Sequence, residues 1–279
     1  MSKVISAASR RSPRKTPMAL TEALVARTLR AVEDAGPTPG MVYMTDADYA
    51  RIRDEVLAGA PGGPVKLFAY GSLLWKPAGE VRGGERAVAT GWHRSFCFTV
   101  QRFRGTIEQP GLMMALDRGG QCQGMVFEIA EPVGANLETL LRREMTILPA
   151  VNVPRWLQVR TGDGTGQALG FVVDPANPRY AGKLEKRAIA ATLATAVGHW
   201  GSGAEYLFET IRHLDACGIR DRNLWQLQET CGRGDRSGAA IGLHSSLSQT
   251  SISPGSRLSQ AKYGTAVIFA SSTAGGSVR

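Results

Sequence analysis

The central part of the chain consists of short apolar runs separated by polar turns, most of which contain Gly or Pro. Such runs, rich in β-branched and aromatic residues, are typical of strands in a curved or closed sheet. The closely spaced glycines of 161–170 fall between two of these runs, so they predict a hairpin turn rather than a nucleotide-binding loop. The predicted strands cover residues 66–70, 95–101, 112–116, 123–129, 156–161 and 169–173.

Apolar residues recur at helical spacing before, between and after these strands. The clearest helix start is Thr45 with Asp48 three residues later, which is a capping-box pattern. Strands interleaved with helices in this way predict an α+β protein. Besides the helix that begins at Thr45, helices are predicted at 21–35, 137–148, 184–200, 204–216 and 223–230.

Composition divides the chain into four segments. We expect a disordered leader at 1–18, an N-terminal helical extension at 19–63, a β-barrel domain at 64–234 and a disordered Ser/Gly-rich tail at 235–279. The formal charge of +9 comes mostly from the leader and the tail. The part between them is close to neutral, so no basic groove for nucleic acid is expected on the folded domain. A weaker hypothesis is that the basic leader and tail bind anionic surfaces.

The remaining chemistry-bearing residue types exclude several classes of protein. The four cysteines, Cys97, Cys122, Cys217 and Cys231, form no C-x-x-C motif, and the histidines are scattered singly. This arrangement predicts free thiols, a cytoplasmic location and no metal site. No apolar run is long enough for a membrane span, so no membrane partner is expected.

The stretch KLFAYGSLLWKP, residues 66–77, interrupts this pattern. A predicted strand stops at Tyr70-Gly71-Ser72, and a second apolar segment follows at once. A strand end followed by a Gly-Ser turn presents consecutive backbone N–H groups, which can form an anion-binding concavity. A tight turn without any ligand is the alternative.

A second irregularity lies in the predicted helix 137–148. Its apolar stripe is Leu137, Leu140, Leu141 and Leu148, and Glu144 occupies a position on the same stripe. An unpaired buried carboxylate is costly, so Glu144 must pair with a cation such as Arg143, become protonated, or face a cavity. In a poorly solvated cavity its pKa would rise, which suits a group that accepts and returns a proton near neutral pH.

An ordered set of motifs resembles the ChaC-type γ-glutamylcyclotransferases and covers residues 65–232. The motifs are LFAYGSLLWKP (67–77), GWHRSFCF (91–98), RGTIEQPGLMMAL (104–116), GMVFEI (124–129), LLRREM (140–145), PRW (154–156) and NPRYAG (177–182). The resemblance implies a small mixed β-barrel flanked by helices, with the substrate at its mouth. It also implies cleavage of glutathione to 5-oxoproline and cysteinylglycine without a metal or cofactor.

The same resemblance assigns roles to individual residues. Glu144 matches the catalytic glutamate of the family, and Tyr180 matches a position near the site. The substrate-binding loop and the strand end before it correspond to Phe68, Ala69, Tyr70, Gly71, Ser72 and Leu73.

One segment departs from the family pattern. The family usually has a Gly-x-Tyr before the Pro-x-Trp, whereas residues 146–156 here have no tyrosine and two additional residues. Asn152 is the candidate to replace part of the tyrosine's hydrogen bonding. Two alternatives to a glutathione-cleaving enzyme therefore remain: a cyclotransferase for another γ-glutamyl amine or dipeptide, and a non-catalytic γ-glutamyl-peptide-binding protein.

Overall fold

The computed structural model describes residues 17–233, so the predicted tail and nearly all of the predicted leader lie outside the described residues. The described elements alternate between helices and strands, which confirms the α+β class. In chain order they are α1 (Glu22–Thr28), β1 (Val42–Tyr43), α2 (Asp46–Ala58), β2 (Lys66–Ala69), a 3₁₀ turn (Ser72–Leu74), β3 (Val81–Val100), β4 (Gly111–Ile129), α3 (Val133–Glu144), β5 (Ile147–Leu148), β6 (Asn152–Thr161), β7 (Gly164–Val173), α4 (Lys186–Thr195), β8 (Val197–Gly198), β9 (Gly201–Ser202), α5 (Gly203–Ala216) and α6 (Arg222–Arg233).

Five strands form a closed barrel in the order β2-β4-β3-β6-β7. Parallel pairing of β7 with β2 and with β4 closes it, and the other neighbours are antiparallel. The sheet is therefore mixed, as predicted. Large apolar side chains such as Phe68, Leu116, Leu157 and Phe171 are almost completely buried. Closure leaves no free edge between these strands.

Strands β3 and β4 are much longer than the sequence pattern predicted. The predicted strand 95–101 is only the end of β3, and the predicted strands 112–116 and 123–129 are parts of β4. The missed portions are polar and rich in glycine, and β3 carries irregularities in its register with β4 between Arg82 and Glu85 and between Thr90 and Trp92. Exposed polar segments of a long hairpin lack the apolar signal on which the prediction depended.

Three of the predicted helices are wrong in length. The predicted helix 184–200 ends at Thr195, and residues 197–198 form β8 instead. The predicted helix 21–35 ends at Thr28, and the predicted helix 137–148 begins earlier, at Val133, and ends at Glu144. Residues 147–148 form β5 instead, so Leu148 does not continue the apolar stripe of α3. The capping box of Thr45 and Asp48 and the hairpin at residues 161–164 are confirmed.

The N-terminal extension packs against α3 and against the segment that follows it in the chain. Strand β1 pairs antiparallel with β5, with Val42 opposite Leu148 and Tyr43 opposite Ile147. One core cluster contains apolar residues of both α2 and α3. From α2 they are Tyr49, Ile52 and Val56, and from α3 they are Leu137, Leu140 and Leu141. The extension is thus attached by hydrogen bonds and by apolar contacts to the segment that surrounds Glu144.

We predict that Gly124→Ala destabilises the barrel. A Cβ atom at Gly124 would lie 2.6 Å from the carbonyl oxygen of Ala69 and 2.7 Å from the Phe68 ring, where backbone and core cannot move aside. Overpacking of this kind costs about 1–3 kcal/mol of unfolding free energy, which urea denaturation measures. The matched control is Gly166→Ala, because a Cβ there meets no atom within 4 Å. Equal stability of the two variants would contradict the prediction.

Candidate active site

A cavity of about 500 Å³ opens at the end of the barrel where β3 ends and β6 begins. Its wall combines residues of the barrel, the 3₁₀ turn, α3, α5 and the N-terminal extension; among them are Tyr43, Ser72, Trp75, Met114, Glu144, Asn152 and Tyr206. A concave site of this volume with convergent polar groups is typical of a small-molecule site.

Glu144, the last residue of α3, faces this cavity. Its side chain is 15% exposed, and its Oε1 lies 3.7 Å from Nε of Arg143. Asn152 Nδ2 donates a hydrogen bond to Oε2 at 3.2 Å. Of the three outcomes that the sequence left open, Glu144 therefore combines a cavity position with a loose contact to Arg143.

The environment of Glu144 favours its protonated form. Burial raises the pKa of the carboxyl group, and the nearby Arg143 guanidinium lowers it by less, so the pKa lies above the ordinary 4.5. A carboxylate with a raised pKa can accept a proton and release it again near neutral pH.

The position of Glu144 follows from the way α3 ends. Leu137, Leu140 and Leu141 bury one face of the helix, and Met145 leaves the helical conformation with φ −133° and ψ 121°. The Tyr49 hydroxyl donates to the Met145 carbonyl at 2.7 Å. This bond from α2 satisfies one of the carbonyls left without a partner at the helix end. The acidic side chain is thereby held at the cavity wall.

The predicted binding loop forms a single 3₁₀ turn after β2. Ser72 begins the turn, and its carbonyl accepts from the N–H groups of Trp75 and Lys76 at 3.1 and 2.8 Å. The first N–H groups of a helical turn have no partner within the turn. Among the described residues, no protein group accepts from the N–H of Ser72 or of Leu73. Ser72 lines the cavity together with Glu144.

The other predicted loop residues support this turn from behind. Phe68 and Ala69 are fully buried in the barrel, and Leu73 shares a core cluster with Leu140 and Leu141 of α3. The Tyr70 hydroxyl donates to the Phe171 carbonyl at 2.8 Å, and burial raises the pKa of Tyr70 well above its usual value. Gly71 packs closely, because an added Cβ would lie 3.3 Å from the Tyr206 hydroxyl.

Tyr180 is not brought into the cavity wall. Its hydroxyl donates to Asp117 Oδ2 at 2.8 Å, and its backbone forms a bridge with Phe98. The bond to Asp117 raises the pKa of Tyr180 to about 12. This geometry gives Tyr180 a packing role at the barrel wall, and a contact with substrate stays a prediction.

Tyr206 of α5 is a cavity residue that the sequence did not identify. Its ring packs edge-on against Trp75 and Phe96, and its hydroxyl lies close to Gly71, because a Cβ atom added there would be 3.3 Å from it. Burial, and after it the negative charge of Glu144, raises the pKa of Tyr206 to about 12. Because Tyr206 lies on the apolar face of an amphipathic helix, its pattern resembles that of a core residue.

The cavity wall carries an excess of positive charge. Among the lining residues only Glu144 is acidic, whereas the basic ones are Lys76, Arg102, Arg104, Arg142, Arg143 and Arg179. Arg104 pairs with Glu205 at 2.8 Å, and Arg102 pairs with Asp34 at 2.6 Å. Burial, and then repulsion by Arg143 and Arg104, lowers the pKa of Lys76. Such a wall suits a ligand with more than one carboxylate.

Residues 17–233 contain neither a metal-binding cluster nor a membrane-spanning helix. No group of three or more His, Cys, Asp or Glu residues there could hold a metal ion. No helix within that range is both long and apolar enough to cross a membrane.

Comparison with known proteins assigns the family. The ChaC-like protein family matches residues 65–233. The chain belongs to this family. Glutathione-specific gamma-glutamylcyclotransferase of Escherichia coli (strain K12) is 38% identical over 164 residues, which are 58% of this chain and 70% of that protein. Glutathione-specific gamma-glutamylcyclotransferase 1 of Mus musculus is 29% identical over 173 residues, which are 60% of this chain and 77% of that protein.

Solved structures agree on the fold. The crystal structure of a yeast gamma-glutamyl cyclotransferase specific to glutathione superposes with a TM-score of 0.56 at 18% identity, over 62% of this chain and 97% of that one. The resemblance inferred from the ordered motifs is therefore confirmed. The ChaC-like match begins at residue 65, so the N-terminal extension lies outside it.

We predict that Glu144→Gln stabilises the folded protein near neutral pH. Because the folded-state pKa is raised, the stabilising contribution of the protonated form is complete below the ordinary value of 4.5 and is lost as the pH rises through the raised value. The variant should therefore exceed the wild type in urea midpoint near neutral pH and match it below 4.5. Glu138→Gln is the control, because the bond from Arg142 lowers the pKa of Glu138, so this variant should lose stability near neutral pH. A Glu144→Gln midpoint below the wild type near neutral pH would refute the assignment.

Proposed function

We propose that this protein cleaves glutathione to 5-oxoproline and cysteinylglycine by an intramolecular cyclisation. The observation that carries the proposal is Glu144, a mostly buried carboxylate with a raised pKa, in the same cavity wall as the Ser72 turn. The names of the E. coli and mouse relatives supply the substrate.

The first step is a proton transfer. The α-ammonium of glutathione cannot attack its own γ-amide, because its nitrogen lone pair carries a proton. Glu144 as carboxylate removes that proton. Within the described residues, Asn152 Oδ1 is buried and has no hydrogen-bond partner, so it can accept a second N–H of the ammonium. Glu144 and Asn152 would together orient the amine.

Ring closure and cleavage then follow within one molecule. The freed amine attacks the carbonyl carbon of the γ-amide, a C–N bond forms, and the amide oxygen becomes an oxyanion. The free N–H groups of Ser72 and Leu73 can stabilise that oxyanion or bind the α-carboxylate. Collapse of the intermediate breaks the original amide bond, and protonated Glu144 returns its proton to the departing nitrogen of cysteinylglycine. The remaining extra proton of the ring nitrogen passes to the released amine, so the products are a neutral lactam and an ammonium group.

This reaction asks little of the protein beyond orientation. Well-aligned intramolecular reactions reach effective molarities of roughly 10⁵ M or more. A cavity that folds the substrate into its cyclising shape therefore supplies most of the rate enhancement, and the proposed steps use no metal or cofactor.

The segment after Glu144 favours a second candidate substrate class. Residues 146–152 contribute Thr146, Ile147, Ala150, Val151 and Asn152 to the cavity wall, and this is the segment with two additional residues and no tyrosine. A cyclotransferase for another γ-glutamyl amine would result if this wall excludes the glycyl end of glutathione. A γ-glutamyl-peptide-binding protein without turnover is the non-enzymatic alternative.

A reducing compartment agrees with the cysteines. All four are free thiols, and Cys97, Cys122 and Cys231 are buried. Buried unpaired thiols suit the cytoplasm, where glutathione is itself kept reduced. We therefore propose a cytoplasmic location.

We expect Glu144→Gln to bind glutathione and to lose about 10²-fold to 10⁴-fold in turnover, because the amide cannot accept the ammonium proton. Release of 5-oxoproline and cysteinylglycine, followed by chromatography, measures it. Glu131→Gln, which changes an exposed glutamate two residues before α3, is the control and should keep full activity. If the wild type binds glutathione but releases no product, the binding-protein alternative holds. Turnover of other γ-glutamyl amines alone would favour the second substrate class.

The pH dependence offers a separate test. The acidic limb of kcat/KM should lie above 4.5, because Glu144 must be ionised to act as the base and its pKa is raised. The hydrogen bond from Asn152 favours the charged form of Glu144. Asn152→Leu removes this bond, so the pKa of Glu144 should rise and the acidic limb should move to higher pH. An unchanged limb in this variant would show that the pKa of another group controls the reaction.

A further inference from the structure

The N-terminal extension contributes part of the cavity wall, although it lies outside the family match. Thr38 and Tyr43 both line the cavity, and Tyr43 belongs to β1, which pairs with β5 directly after Glu144. The Met44 N–H donates to the Thr146 carbonyl at 3.1 Å and extends this pairing. The cavity of this protein is therefore built from the barrel and from a segment that the matched family domain does not contain.

Tyr43 is held in place by neighbouring residues. Its phenolic oxygen accepts from the Thr38 N–H at 2.7 Å, and the guanidinium of Arg102 lies over its ring, 5.9 Å from the ring centre. Arg102 is in turn held by both carboxylate oxygens of Asp34, at 2.8 and 2.6 Å. Burial raises the pKa of Tyr43, but the bond from Thr38 and the charge of Arg102 outweigh it, so the pKa is lowered. The bond from Thr38 therefore holds the Tyr43 side chain at the cavity wall.

Arg179 carries an uncompensated charge beside Tyr43. It lines the cavity together with Tyr43, and partial burial lowers its pKa. Within residues 17–233, no carboxylate lies within 4.0 Å of its guanidinium. Arg102, by contrast, is already neutralised by Asp34. A partly buried guanidinium that lines a cavity and has no carboxylate partner can pair with an anionic ligand.

Arg179 and Glu144 belong to different parts of the cavity. Glu144 ends α3, and its carboxylate contacts Asn152 at the start of β6 and the neighbouring Arg143. Arg179 lies beside the end of β3, where its carbonyl accepts from the Thr99 N–H at 2.9 Å. The cavity thus has one polar centre around Glu144 and a second, cationic centre formed by Arg179 and Tyr43.

We propose that Arg179, beside Tyr43 of the N-terminal extension, forms a subsite for the C-terminal carboxylate of the departing peptide. This inference rests on the proposed function, in which the γ-glutamyl end lies at Glu144 and the glycyl end extends away from it. A bidentate guanidinium–carboxylate pair is the arrangement that Arg favours. The subsite would select γ-glutamyl peptides with a free C-terminal carboxylate over γ-glutamyl amines without one.

The test compares two ligands that differ only at that carboxylate: glutathione and its glycyl ethyl ester. Binding is measured by titration calorimetry on the full chain with Glu144→Gln, so that turnover does not interfere. In this background Arg179→Gln should weaken glutathione binding about 10-fold to 100-fold, since a hydrogen bond to a charged group contributes that much. Ester binding should change less than about 2-fold on the same scale.

Two further variants control for charge and for folding. Arg160→Gln removes an exposed positive charge of β6 that does not line the cavity, and it should leave both affinities unchanged. Arg179→Lys keeps the charge without the bidentate fork, so it should recover part of the glutathione affinity. Unfolding midpoints show whether each variant is folded.

Equal losses for glutathione and the ester, no loss for either, or no glutathione binding in the Glu144→Gln background would overturn the subsite. Failure of the proposed function has a different signature. A wild-type protein that releases no product while Arg179→Gln still weakens glutathione selectively would refute the enzyme and support the subsite. If Arg179→Gln releases product at the wild-type rate at all glutathione concentrations, that result would support the enzyme and refute the subsite.

Discussion

The structure depends on one poorly compensated charge, the carboxylate of Glu144. It accepts one hydrogen bond from the side-chain amide of Asn152, and the Arg143 guanidinium lies 3.7 Å away. Most of its surface is removed from water. A tighter ion pair would have lowered its pKa and removed its ability to exchange protons near neutrality. A wholly apolar setting would have kept it protonated. The observed environment lies between these extremes, so both the protonated and the ionised form of the carboxyl group are accessible.

The rest of the molecule fixes that carboxylate relative to the 3₁₀ turn. Leu73 of the turn and Leu140 and Leu141 of α3 share one core cluster, so the two halves of the site are joined by direct packing. Tyr206 contributes from α5 by packing its hydroxyl against Gly71, directly before the turn. Neither the turn nor the helix end is therefore free to move alone, and a preorganised site of this kind needs little rearrangement during reaction.

Particular residues show how far the sequence could predict this site. Glu144 was recognisable because it interrupts a leucine stripe, and the turn because an apolar run stops at Gly71-Ser72. Tyr206 gave no such signal, since its place on the apolar face of α5 is also that of a core residue. The end of α3 was placed four residues too late, because Leu148 fits the helical period while its backbone pairs with β1. Pairing over about a hundred residues of sequence leaves no local pattern.

The pairing of β1 with β5 also bears on where the chain can be divided. The family match begins at residue 65, but α2 covers the apolar face of α3, and the Tyr49 hydroxyl satisfies the carbonyl that follows Glu144. A protein trimmed to residue 65 would expose that leucine face to water and leave the helix terminus uncapped. The start of the family match is therefore not a structural domain boundary. The homologous region and the cooperatively packed unit of this protein begin at different residues.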